Sequence, residues 1–205
     1  MKKTIEAALK KSISFEQYNS LFESLVAEGK TTGPNQSEGY VGFTKLNWSR
    51  YKRALKQVEL SQQTRQVLSS LKESITLLII TEAWCGDASQ VLPVIELISE
   101  AAPKITSKLV LRDEHEELMN QFLTNGGKSI PKVIVLDEEK NVLASWGPRP
   151  SVLQKQVVAY KTENPTATGM DVSGLVQKWY NEDKGQTTQN EIISLINKQI
   201  HLTVG

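Results

Sequence analysis

The chain has 205 residues, with 24 lysines and arginines against 23 acids, a formal net charge of +1 and 39% hydrophobic residues. That length suits one ordinary domain with extensions, or two small ones, and the charge balance offers no basic excess for a nucleic-acid backbone. A single cysteine excludes an intramolecular disulfide and any cysteine-rich zinc site.

The first 28 residues have helical spacing. Ile5, Ala8, Leu9 and Ile13 form one stripe, and Ser14 with Gln17 forms a capping box that restarts a second helix. Tyr18, Leu21, Phe22, Leu25 and Val26 make its apolar face, and Gly29 is placed to end it. Lysines open the chain as they do a signal peptide, but Glu6, Lys10 and Lys11 break the apolar region. The expected address is therefore a reducing cytoplasm, with no membrane partner. Residues 30–47 are turn-rich and are expected to form an ordered loop or linker. A third helix is expected from Trp48 to Val58, and a fourth from a Ser61 cap to near Ser74.

At residue 75 the pattern changes. ITLLII is a short β-branched run, as in a strand buried on both faces. An amphipathic helix follows through Val91, Val94, Ile95 and Ile98, then a second strand over 106–112. DEHEELMNQFL is expected to be helical, with acids in its first turn. KVIVLD and NVLASW flank a turn and predict an antiparallel hairpin, with a helix after it. The order indicates an α/β protein with a mixed sheet covered by helices. After the break NPTATG, Thr188 and Glu191 offer a further capping box before Ile192, Ile193, Leu195 and Ile196.

The chemically informative segment is TEAWCGDASQVLP, residues 81–93. Cys85 sits where a buried strand turns into a helix, so the amides of the first turn face its sulfur and favour thiolate. Trp84-Cys85-Gly86, Pro93 eight residues on, Ile130-Pro131 before the next core strand and Gly147 sixteen residues later stand in register with the strand and helix order. In this the chain resembles the thioredoxin superfamily over residues 73–163, and is similar to bacterial thioredoxin-like proteins that carry a W-C-G-D-A motif between long helical flanks. The resemblance implies a thioredoxin-like fold, with helical extensions over 1–72 and 164–205. It also implies Cys85 as the nucleophile, a cis peptide before Pro131, and a partner-binding surface of Ile130, Pro131, Trp146 and Gly147 beside Trp84 and Gly86. Protein thiols or disulfides, or a low-molecular-weight thiol, are the implied partners.

The departures from the family pattern are as informative. The resolving cysteine is replaced by Ala88, and the family's buried carboxylate by Ile79. Both losses remove the same half-reaction, the release of a mixed disulfide by a second thiol. Asp87 stands close behind Cys85; at ~7 Å its repulsion of a thiolate is about 0.6 kcal/mol at bulk dielectric and about 2.4 kcal/mol at an effective value of 20. A helix N-terminus contributes up to about 2 kcal/mol the other way. Arg149 is the expected arbiter, pairing with Asp87 and restoring thiolate stability.

Other signals fail. Gly127-Lys128-Ser129 lacks the earlier glycine of a phosphate loop, since Phe122 stands there. His115 among Asp113, Glu114, Glu116 and Glu117 is expected to be a solvated acidic helix start, so no metal and no cofactor are expected. A glutaredoxin-type glutathione motif is missing after Pro131. Two functions stay open: a single-cysteine thiol redox protein resolved by an external thiol, and a non-catalytic protein-binding module on the same fold. The helical stripes need cover from the domain, from each other or across a homodimer.

Overall fold

The computed structural model describes residues 1–202. Helices α1 (Lys2–Lys11), α2 (Phe15–Glu28), α3 (Glu38–Gln57) and α4 (Gln62–Ser70) precede strand β1 (Ile75–Thr81). Helix α5 (Ala88–Glu100) leads to β2 (Ile105–Leu111), and the short α6 (Glu116–Met119) precedes β3 (Lys132–Leu136) and β4 (Val142–Trp146). Helices α7 (Ser151–Glu163), α8 (Gly169–Asp183) and α9 (Gln186–Leu202) complete the described chain.

The sheet has the order β2-β1-β3-β4. β1 runs parallel to β2 and antiparallel to β3, and β3 pairs antiparallel with β4. Leu77, Leu78, Ile79 and Ile80 are wholly buried, which is why this run is continuous rather than alternating: helices lie on both faces of the central strand. Ile13 forms an antiparallel bridge to Leu109, so the chain between α1 and α2 covers the outer edge of β2.

Ser14 and Gln17 cap α2 reciprocally, and Gly29 ends it in the left-handed conformation at φ 64°, as the sequence predicts. The aromatic stripe of α2 packs on α3, with Phe22 against both Trp48 and Tyr51. Tyr51 and Asn19 then satisfy Glu96 of α5 at 2.5 and 2.9 Å. The amino-terminal extension is thus built onto the core helix by a buried polar contact surrounded by aromatic rings.

Three local expectations are corrected. Residues 38–47 are helix, not loop: α3 begins ten residues before Trp48. Gly39 and Gly42 lower its intrinsic propensity, but Thr44 and Asn47 are buried against the core, and tertiary contact outweighs propensity. The acidic segment after β2 is a 3-10 turn followed by α6 rather than one helix. The Glu82 carboxylate takes the Asp113 amide at 2.9 Å, and His115 bonds back to the Leu111 carbonyl, which breaks helical geometry there. Finally, α9 begins at Gln186, ahead of Thr188. Glu191 does not close a capping box; it accepts hydrogen bonds from the Trp146 indole at 2.6 Å and the Ser151 amide at 2.9 Å.

Candidate functional site

Strand β1 delivers Thr81, Glu82 and Ala83 into the turn Trp84-Cys85-Gly86-Asp87, from which α5 starts. Pro93 lies inside α5, fully surrounded. The Cys85 sulfur receives the Ala88 amide at 3.5 Å, so the first turn of the helix does face it. Its thiol donates to the carbonyl of Ile130 at 3.3 Å, and only 7% of the residue is exposed. Ile130–Pro131 is a cis peptide, as is Gly147–Pro148. Gly147 has φ 114°, and a Cβ there would stand 2.3 Å from the Pro131 carbonyl oxygen, so only glycine allows β4 to end against this proline.

Arg149 reaches Asp87 with two guanidinium nitrogens, one at 3.2 Å, and Tyr180 from α8 donates to the same carboxylate at 3.0 Å. The expected pairing of Arg149 with Asp87 is therefore present, but it does not leave Cys85 a thiolate at neutral pH. Burial pushes the thiol up to about 12, the Asp87 charge adds to that, and the Ala88 and Asp87 amides and then Arg149 oppose it only in part. Burial also pushes the Asp87 carboxyl up, against the charge and hydrogen bonds of Arg149 and the Tyr180 hydroxyl.

The extensions cover this turn. Gln177 of α8 donates to the Gly86 carbonyl at 3.3 Å and accepts from Gln90 at 2.7 Å. Asn47 of α3 donates to the Ala83 carbonyl at 3.4 Å, and the Thr32 hydroxyl takes the Ala83 amide at 3.0 Å. Trp84 is half-buried, with Tyr40 edge-on at 5.2 Å and the Arg112 guanidinium 4.7 Å from its ring centre. Trp146 is turned toward Glu191 of α9, and Ile130 is itself buried. The sequence-derived residues therefore come together, and their helical cover answers a question that the sequence leaves open. Tyr180, Gln177 and Asn47 lie far from the motif in sequence and gave no local signal.

Glu82 is different, since an acid at the end of a buried apolar strand is visible in the sequence. It is wholly buried, and burial raises its pKa, but it faces the Asp113 amide rather than the thiol. It does not replace the carboxylate lost at Ile79. Among the described residues no cluster of histidine, cysteine or acid could hold a metal ion, and no helix is long and apolar enough to cross a membrane.

A family model described as Thioredoxin matches residues 33–168, well over half of the chain. The chain belongs to this thioredoxin family. The matched span begins before α3, so it takes in part of what the sequence suggested was an extension. The fold is also similar to two solved structures. One is an HIV epitope-scaffold, at 19% identity and a TM-score of 0.56 over 91% of this chain and 99% of that one. The other is a protein of unknown function from Pseudomonas aeruginosa, at 18% identity and 0.52 over 91% and 98%. At these identities the likeness is one of fold. No curated protein matches the chain.

Proposed function

We propose that this thioredoxin-family protein is a non-catalytic binding module in which Cys85 is kept as a neutral, shielded thiol. The observation that carries this reading is the bond from the Cys85 thiol to the Ile130 carbonyl beneath a cover formed by α3 and α8. A nucleophilic thiol needs exposure and a depressed pKa; this one has neither. The thiol that would attack a disulfide in the thioredoxin pattern is here tied to the Ile130 carbonyl, which opposes the redox role. The absence of a resolving cysteine at Ala88 points the same way.

The second reading, a monothiol redox protein resolved by an external thiol, draws on the Ala88 amide at the sulfur and the charge of Arg149. It requires the α3 and α8 cover to open. Alkylation of Cys85 by iodoacetamide across pH, in intact and denatured protein, separates the two. The binding reading expects no labelling near neutral pH until the chain is unfolded. A labelling midpoint below the free-cysteine value of about 8.5 in the intact protein would overturn it in favour of the redox reading.

A further inference from the structure

Beside the Trp84–Gly86 turn the two covering helices leave an opening. Between α3 and α8 lies a cavity of about 480 Å³, walled by Tyr40, Phe43, Leu46, Trp84 and Met170, with Gly86 in its lining. Its volume lies within the roughly 300–1,000 Å³ span of small-molecule sites. Phe43, Leu46 and Met170 leave much of their apolar surface to solvent, Met170 as much as 76%. One charged residue lines the cavity, Arg50, and no acid does.

Arg50 is half-buried, and among the described residues no carboxylate pairs with it. Its guanidinium donates to Asn47, a neutral acceptor, at 3.0 Å. Arg53, one helical turn on, adds a second positive charge and donates to the side-chain oxygen of Asn181. Desolvation and Arg53 together lower the Arg50 pKa, which is the mark of a cation lacking its counter-charge. The partly desolvated guanidinium therefore borders an apolar cavity whose lining holds no acid.

We propose that this cavity binds a small amphipathic anion, its apolar body between α3 and α8 against Trp84 and its carboxylate or similar acid group on Arg50. The proposal rests on the binding reading above and supplies its ligand class. Fatty acids and aromatic acids share this chemistry. Tyr40 and Ser173 also line the cavity. Gly174 provides a clean way to fill the site, since a Cβ there would meet nothing within 4 Å.

The test is calorimetric titration of the full chain with octanoate, 1-octanol and octylammonium. Octanoate should bind one per chain, octanol at least tenfold more weakly, and octylammonium not at all. Arg50→Gln should bring octanoate down to the level of octanol, and Gly174→Leu should abolish both, with melting curves showing that each variant is folded. Should Arg50→Gln fail to fold, Gly174→Leu with the three ligands still decides. Equal affinity for octanoate and octanol, retained binding in Gly174→Leu, or no binding of octanoate would overturn the proposal. Alkylation of Cys85 in the same samples keeps the two questions apart: fast labelling at neutral pH overturns the shielded-thiol reading, while the octanoate isotherm reports on the cavity alone.

Discussion

The two sides of the Trp84-Cys85-Gly86-Asp87 turn are finished in opposite ways. On one side the thiol is bonded to Ile130, and Asp87 is held by Arg149 and Tyr180, so each charge has its partner. On the other side Trp84 and Gly86 border an open apolar cavity whose one cation, Arg50, has no acid. A buried ion pair locks a surface shut because breaking it strands a charge. An unpaired cation over an apolar cavity leaves a surface ready for a ligand.

The sharpest test of that contrast removes one arginine from each side. Arg149→Ala strands Asp87 in the interior and should cost about 3 kcal/mol, the low end for breaking a buried pair. Arg50→Ala removes only a bond to Asn47 and should cost about 1 kcal/mol or less. Denaturant unfolding of both variants measures the difference, and equal losses would erase the distinction between the two sides.

A pH series sharpens the closed side further. Because the folded thiol titrates above the unfolded one, its contribution is intact below the free-thiol value. That contribution is lost as pH rises through that value toward about 12. At pH 10 the wild type should therefore have lost about 2 kcal/mol more than Cys85→Ala, relative to pH 7. Buried Tyr18, Tyr51 and Tyr180 are pushed up as well, but they are common to both proteins and cancel. Parallel pH profiles would mean that the thiol is not desolvated.

The smallest effect concerns the open side. Gly174→Leu replaces a glycine inside α8 with a better helix former, and its Cβ meets no atom within 4 Å. It should stabilise the protein by about 0.5–1 kcal/mol. A loss of stability would show that the cavity wall is more tightly packed than its geometry implies.

Much of the fold was legible in the residues themselves. The continuous β-branched run of β1, the Ser14–Gln17 capping box and the Gly29 stop are local signals, because strand burial, capping and left-handed backbone are settled within a few neighbours. The motif turn and its register with Pro93, Pro131 and Gly147 were legible as well, since fixed spacing along strands and helices carries them into one place. The helical character of residues 38–47 was not: two glycines and a turn-like composition outweigh any local signal, and only burial of Thr44 and Asn47 against the core makes the segment helical.

The state of the cysteine was beyond the sequence for a related reason. Cys85, its helix amides, Asp87 and Arg149 could all be named in advance, and their pairwise terms nearly balance. What tipped the balance was desolvation, and the residues of α8 and α3 that cover the turn, Gln177, Tyr180 and Asn47, lie far from Cys85 along the chain. The sequence by itself determined the strand-to-helix turn, its lone thiol and the glycine and prolines around it. Only the tertiary structure decided that the thiol is covered and neutral while the neighbouring cavity is open, because burial is a property of what packs across a residue and not of the residues beside it.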